Sequence, residues 1–224
     1  MRARAFKSYL LACSALLCIP LVGLIYVYLN HGGGNYYSLV TDLDRDLPFL
    51  KIFVIPYLAW YVFLLAGFMY LAHKDRQKYY KTLLQFMIGL LICYGVYAVY
   101  QTHVPRPDVH GNDPLLRMVQ WVYRADQPFN CFPSTHVLTS YLMMKAYISS
   151  AQISRIYTAA VSFMALLIIA STQFMKQHVL LDIVGAVLVA EAVVYAVEKI
   201  CGGWPVKSAA AGVRSGRIEG GFER

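Results

Sequence analysis

Apolar residues in this sequence occur in long blocks and do not alternate with polar residues. Six blocks are found, at residues 9–29, 52–72, 82–101, 134–150, 156–175 and 179–197. Most are about 20 residues long, which as an α-helix crosses a hydrocarbon core of roughly 30 Å. A helix is expected because lipid cannot satisfy exposed backbone N–H and C=O groups. The pattern therefore predicts an all-α membrane bundle of six transmembrane helices.

The first and fourth blocks differ from the other four. Basic residues precede residues 9–29, as in a signal peptide, but this uncharged block is longer than a normal signal peptide's apolar region. No small-residue cleavage motif follows closely, so we interpret it as a retained span. The fourth block, 134–150, is short and carries Lys145, whose long side chain can extend to the cytoplasmic end.

Composition supports the membrane interpretation. Hydrophobic residues make up 58% of the 224 residues and charged residues only 14%, too few for the surface of a soluble domain. The net charge of +8 could suggest nucleic acid, but the basic residues cluster at the ends of the apolar blocks. That placement is typical of the positive-inside bias of membrane proteins. A bilayer, and no nucleic acid, is the expected partner.

The distribution of basic residues also predicts the topology. Most of the 20 Lys and Arg residues lie on the side that holds both termini and the loop 73–81. Both termini should therefore be cytoplasmic. Residues 1–200 form one membrane domain in this interpretation. The tail 201–224 is rich in Gly, Ala and Arg and is expected to be disordered in the cytoplasm.

Polar residues that interrupt or border the spans form three groups. They lie at residues 104–107, 131–136 and 171–182, and the predicted topology puts all three at the outer membrane face. The topology was derived from charge alone, without reference to these residues. Polar groups near a hydrocarbon core are costly and commonly functional. Their convergence at one depth predicts a site between helices.

The side chains in these groups suit phosphate chemistry. His178 and Asp182 are four residues apart and so share one helix face, where the carboxylate can fix the imidazole tautomer. His136 is a second imidazole, available as a general acid or base. The Arg106 guanidinium can hold two phosphate oxygens. Ser134 follows a proline at a predicted helix N-terminus, which favours an anion.

Simpler interpretations apply to the remaining candidates. A His–Asp pair could equally be half of a metal site, but no third His or carboxylate falls at ligand spacing, so no metal or cofactor is expected. Cys131 fits a small half-buried hydrophobe. The histidines interpreted as surface residues are His31, His73, His103 and His110.

Together these motifs resemble the type 2 phosphatidic acid phosphatase superfamily, the lipid phosphate phosphatases, which shares its core with vanadium haloperoxidases. The family pattern is Lys-x6-Arg-Pro, then Pro-Ser-Gly-His, then Ser-Arg-x5-His-x3-Asp. Here Arg106-Pro107, residues 133–136 and residues 171–182 follow it in order, and the resemblance covers about residues 80–200. The residues around His136 and His178 resemble the branch that includes inositol phosphorylceramide synthases.

The resemblance implies a role for each matching residue. His178 would be the nucleophile, Asp182 its partner and His136 the acid that protonates the leaving alcohol. Arg106, with Ser134 and Thr135 of the second motif, would bind the phosphate. A six-helix membrane core that needs no metal is also implied.

The chain departs from the family pattern at three positions. The first-motif Lys falls at Val99, Thr135 replaces a Gly, and Thr172 replaces the third-motif Arg. Two phosphate-binding cations are therefore missing. Lys176 could supply one of them, or it could face lipid headgroups.

Three functions remain open at this stage. The first is a phosphatase that hydrolyses a lipid phosphomonoester or pyrophosphate through a phosphohistidine, in a bacterial plasma membrane with the site on the extracytoplasmic face. The second is a phosphotransferase with the same chemistry and an alcohol acceptor. The third is an inactive binding protein that kept the fold, which the missing cations would favour.

Overall fold

The computed structural model of the protein describes residues 2–31 and 35–201. The predicted tail lies outside these residues apart from Cys201, which ends the last helix. In the described part the regular structure is helical, as predicted. The helices are α1 (Arg2–Ser14), α2 (Cys18–Leu29), α3 (Asp42–Asp46), α4 (Val54–Lys74), α5 (Arg76–Val99), α6 (Pro114–Ala125), α7 (Thr135–Ile148), α8 (Arg155–Phe174) and α9 (Leu180–Cys201). The 3₁₀ turns Ala15–Leu17 and Lys51–Phe53 precede α2 and α4.

Five helical segments are long and apolar enough to span a membrane. They are Lys7–Leu29, Lys51–Lys74, Arg76–Val99, Arg155–Phe174 and Leu180–Cys201. Each overlaps one of the predicted apolar blocks. Length and hydropathy thus confirm five helices of transmembrane character in the described residues.

The sixth predicted span is shorter than expected. Residues 134–150 form only α7, whose 14 residues extend for about 21 Å. That length falls short of a hydrocarbon core of roughly 30 Å. The helix packs against α4, α5, α8 and α9 and is the most enclosed of the bundle, with Leu138, Leu142 and Met143 fully buried. Because neighbouring helices shield α7, its length need not match the lipid.

Helix α6 lies in the long connection between α5 and α7 and was not predicted. Asp113 caps it by accepting the Leu115 N–H at 2.9 Å, and Pro114 occupies its first position. Val119 and Val122 are buried while Trp121 is 59% exposed, so the helix is amphipathic. It packs against the start of α4.

Close helix contacts hold the bundle together around α7. Gly67 of α4 faces Met143, and Gly89 of α5 faces Leu138, each at a distance that leaves little space for a larger residue. Small residues of this kind let helix backbones approach closely. We call the end of the bundle where α5 ends at Val99 and α9 begins at Leu180 the site end.

One glycine near the site end has even less space for a side chain than Gly67 and Gly89. A Cβ built on Gly185 of α9 would lie 2.4 Å from Cε2 of Phe132. The Phe132 ring belongs to the segment that leads into α7. The absence of a side chain at Gly185 therefore allows that segment to pack on α9.

We predict that Gly185→Ala destabilises the protein by about 1–3 kcal/mol, because the added methyl overpacks the Phe132 contact. Thermal unfolding in detergent micelles measures the effect. Gly95→Ala is the matched control, since a Cβ on Gly95 meets nothing within 4 Å. An equal melting temperature for both variants would contradict the prediction.

Candidate functional site

His178 is held in one tautomer at the site end. Its Nδ1 lies 3.1 Å from Oδ2 of Asp182 and 3.0 Å from the Cys131 carbonyl oxygen. Both partners accept hydrogen bonds, so Nδ1 carries the proton. Nε2 therefore keeps its lone pair. The geometry is that of an imidazole prepared to act as a nucleophile or base.

Asp182 connects three parts of the site. It is fully buried in the first turn of α9. Its Oδ2 also accepts the Val179 N–H at 2.9 Å, and its backbone oxygen accepts the Ser134 N–H at 3.3 Å. The same residue thus orients His178, closes the loop before α9 and attaches the start of α7.

The loop that carries His178 begins with a left-handed turn. Lys176 follows α8 with φ 52°, the conformation of a helix C-terminal cap. The N–H groups of Gln177 and His178 both donate to the Thr172 carbonyl, at 3.0 and 3.2 Å. The turn reverses the chain immediately after α8 and directs it into α9.

His136 faces His178 from the first turn of α7. The two ring centroids are 6.1 Å apart. Tyr57 stacks on the His136 ring at 4.6 Å, and Trp60 lies 4.3 Å from it on α4. These aromatic contacts fix the ring plane. Nδ1 of His136 has no hydrogen-bond partner among the described residues.

Arg106 extends to the same place from the loop after α5. Its Nη1 donates to the Asp126 carbonyl at 2.6 Å, and its Nη2 donates to Gln177 Oε1. The guanidinium lies 4.8 Å from the Tyr123 ring centroid. Its Nε is buried and has no partner within the described chain. Arg106 lines the same two cavities as His178, so its guanidinium can contact an anion held there.

Ser134 and Thr135 have different surroundings. Ser134 is fully buried and caps α7, its Oγ accepting the Val137 N–H at 3.3 Å. Thr135 lines the large cavity described below. The Ser134 side chain therefore supports the helix start, while Thr135 faces the space in front of the histidines.

Lys176 takes part in a connection between α3 and the His178 loop. Its Nζ donates to the Asp44 carbonyl at 2.7 Å. Asp44 Oδ1 accepts the Leu180 N–H at 2.7 Å, which caps α9, while Oδ2 accepts the Thr41 N–H. We call these contacts of Asp44 the α3 latch. The α3 latch therefore fixes the chain two residues before and two residues after His178, at Lys176 and Leu180.

Two cavities meet at Arg106 and His178, which line both. The large cavity, about 580 Å³, also contacts Thr135, His136 and Gln177 and extends along α2, α4 and α5. The small cavity, about 330 Å³, lies between the latch and the loop before α9 and contacts Gln173 and Lys176. Lys176 thus lies on the opposite side of Arg106 from His136.

Val99 and Thr172, where the pattern that the sequence resembles has two further cations, line neither of the two described cavities. The Val99 side chain is 85% exposed at the end of α5. Thr172 is fully buried, and its hydroxyl donates to the Ile169 carbonyl at 2.7 Å. The cations that line the two cavities near His178 are Arg106, Arg45 and Lys176.

Two further features describe the chemistry of the site. Burial raises the pKa of the Cys131 thiol well above its usual range, with the Asp182 charge acting in the same direction. The Cys131 thiol is therefore neutral. Within the described residues, no group of three or more His, Cys, Asp or Glu side chains is arranged to hold a metal ion.

Sequence reasoning missed several residues of this site. Tyr57 and Trp60 lie within an apolar block, where aromatic residues are common. Gln173 and Gln177 lie within the third polar group but were given no role, although polar side chains at the end of an apolar block are functional candidates. Asp44 lies more than a hundred residues from Leu180, and no local pattern connects the two.

No family model, curated protein or solved structure matches this chain.

We predict that Asp44→Ala destabilises the protein by about 1–2 kcal/mol at neutral pH, since two helix caps are lost. Burial raises the pKa of Asp44, but hydrogen bonds from Thr41 and Leu180 and the Lys176 charge outweigh it and lower the pKa below 3.8. A lowered pKa stabilises the fold above 3.8, and this contribution is lost as the pH falls through the lowered value.

The melting temperature of wild type should therefore approach that of Asp44→Ala in acid. Asp46→Ala is the matched control, because Asp46 is an exposed carboxylate in the same short helix. A difference between wild type and Asp44→Ala that is unchanged between neutral pH and strong acid would contradict the prediction.

Proposed function

We propose that this protein is a membrane lipid phosphate phosphatase that hydrolyses a lipid phosphomonoester or pyrophosphate through a phosphohistidine. One observation supports this most strongly. His178, with Nδ1 bonded to Asp182 and Nε2 unbonded, faces His136 and lines the same two cavities as Arg106. A nucleophile, a second imidazole and an anion-binding cation around one cavity are the groups that phosphoryl transfer requires.

In the first step, Nε2 of His178 attacks phosphorus. An N–P bond forms and the bond between phosphorus and the alcohol oxygen of the lipid breaks. The leaving oxygen takes a proton from protonated His136. Asp182 stabilises the positive charge that develops on the His178 ring, and Arg106 binds the phosphoryl oxygens.

In the second step, a water molecule attacks the phosphohistidine. His136, now neutral, accepts a proton from this water as the O–P bond forms and the N–P bond breaks. Phosphate leaves, and both histidines return to their starting states. No group outside the described side chains is needed to balance the protons.

The membrane arrangement is part of the proposal. Helix α7 would be a sixth, shielded helix of a core like that of the type 2 phosphatidic acid phosphatases. The basic residues would hold both termini in the cytoplasm. The site end would then face the extracytoplasmic side of a bacterial plasma membrane.

A second candidate, a lipid phosphotransferase, is favoured by the small cavity. Gln173 is 5% exposed, lines this cavity, and its Oε1 has no partner among the described residues. His178 lines the same cavity. A free acceptor near the nucleophile suits the O–H of an alcohol, which could replace water in the second step.

We predict that purified protein releases phosphate from lipid phosphates and that His178→Ala lowers kcat by at least about a thousandfold. His136→Gln should lower kcat by about a hundred- to ten-thousandfold, because the general acid that protonates the leaving alcohol is removed. Phosphate release from a panel of lipid monophosphates and pyrophosphates measures both.

His110→Ala is the control, because His110 is a strongly exposed histidine paired only with Asp108. Undiminished release by His178→Ala would reject the phosphohistidine. Absence of release by the wild type, together with absence of vanadate binding, would favour the third reading, an inactive membrane binding protein.

The transferase candidate predicts a new lipid as the main product when a small polyol is added with the lipid phosphate. Gln173→Leu should shift product from transfer to hydrolysis by about tenfold, since a buried hydrogen bond to the acceptor is lost. Thin-layer separation of radiolabelled lipid measures the ratio. If free phosphate is the main product with every alcohol tested, the transferase function is rejected and the phosphatase function is retained.

A further inference from the structure

The large cavity continues from the histidines deep between three helices. On α4 its wall runs from Tyr57 to Phe68, and on α5 from Tyr94 to Phe86. The eleven helical steps from Tyr57 to Phe68 extend for roughly 17 Å. We call this part of the large cavity, between α2, α4 and α5, the shaft. Its depth is close to one leaflet of a hydrocarbon core of roughly 30 Å.

The shaft is closed at its far end by packed aromatic rings. The rings of Phe68 and Phe86 lie edge to face with centroids 4.7 Å apart, and both are almost fully buried. Beyond them the Tyr79 hydroxyl donates to the Ala12 carbonyl at 2.5 Å, which attaches α1 to α5. The shaft therefore has a defined bottom.

The arrangement of the first two helices explains why the shaft is open along its side. Helix α1 packs on α4, where Tyr9 donates to the Met69 carbonyl, whereas α2 packs on α5. The main contact of the first segment with α4 thus lies near the bottom of the shaft. Leu24 of α2 and Leu65 of α4 line the shaft and are 63% and 56% exposed. An apolar chain in the bilayer can enter sideways between them.

We infer that the shaft binds the apolar chain of the phosphate-bearing lipid and that the Phe68–Phe86 pair sets the longest chain accepted. This inference rests on the proposed function for the identity of the headgroup. The chain would lie along α4 with the phosphate at Arg106 and His178. Chains longer than the shaft would have to bend at its bottom or leave the phosphate short of His178.

Glycine at position 23 offers a direct test. Gly23 lines the shaft on α2, and a Cβ built there meets nothing within 4 Å. Gly23→Phe would therefore fill the middle of the shaft without displacing the bundle. Gly95→Phe is the matched control, since Gly95 also meets nothing within 4 Å and does not line either cavity.

The substrates are monoalkyl phosphates with straight chains from octyl to eicosyl, and kcat/KM is measured for each. Wild type should show a rise with chain length and then a plateau or fall. Gly23→Phe should lower kcat/KM for the long-chain phosphates by about tenfold or more, since the added ring takes the space of several methylenes. Its kcat/KM for octyl phosphate should equal that of wild type. Gly95→Phe should keep the wild-type profile.

Phe86→Ala should change the dependence of kcat/KM on chain length in the opposite direction, in favour of long chains. Removing the ring deepens the shaft, so kcat/KM for the longest chain should rise about threefold relative to octyl phosphate. Phe163→Ala is its control, because Phe163 is a 65% exposed phenylalanine on α8 that does not line the shaft. If Phe86→Ala does not fold, the chain-length dependence of Gly23→Phe alone tests whether the shaft binds the chain.

Failure of this inference and failure of the proposed function give different results. Suppose that wild type, Gly23→Phe and Gly95→Phe are all active and show the same dependence of kcat/KM on chain length. This result would reject chain binding in the shaft and would be consistent with the proposed phosphatase function. If no alkyl phosphate is hydrolysed, the affinities of the matching alkyl phosphonates are compared by calorimetry. Equal affinity of Gly23→Phe and Gly95→Phe for the long phosphonates would then overturn the shaft as well.

Discussion

The site depends on one buried carboxylate. Asp182 is withdrawn completely from solvent, and such a charge is stable only where hydrogen bonds replace its hydration. Oδ2 receives such bonds from His178 and the Val179 N–H, whereas Oδ1 has no partner among the described residues, so the cost of burial is offset in part by groups that must stay in place. Its backbone oxygen also holds the start of α7. A displacement of α9 would therefore disturb both histidines together, which couples the packing of the bundle to the geometry of the site.

The two cavities give this site two approaches. The large cavity runs between helices of transmembrane character, and the small cavity lies against the loops of the site end. Among the residues that the structure describes, only Arg106 and His178 line both. Under the proposed function, an amphipathic substrate would bring its chain from one side and meet water or an alcohol from the other. The reacting atoms would then lie where the apolar and aqueous environments meet, at the residues best able to bind a phosphate.

Predictions from sequence succeeded where the physics is local. Lipid-length apolar blocks predicted the long helices. The expectation that His178 and Asp182 share a helix face was wrong, because His178 lies in the loop before α9, but the two side chains do meet. The Cys131 carbonyl, which fixes the same imidazole, depends on the path of a loop and could not be predicted. Asp44 capping α9 is a tertiary contact of the same kind. The short α7 shows the limit of block length as a criterion, because burial by other helices removes the need to match the bilayer.

The departures from the family pattern change how a phosphate would be held. Thr172 is buried with its hydroxyl bonded within α8, so this position supports the loop and contacts no ligand. Four residues later, the left-handed backbone of Lys176 directs a cation to the small cavity, where the Asp44 backbone carbonyl holds it. Under the proposed function, Arg106 would bind the phosphoryl group from the loop after α5, and Lys176 would add positive potential from the aqueous side. Both cations line the small cavity together with His178, so their charges would favour an anion at the nucleophile.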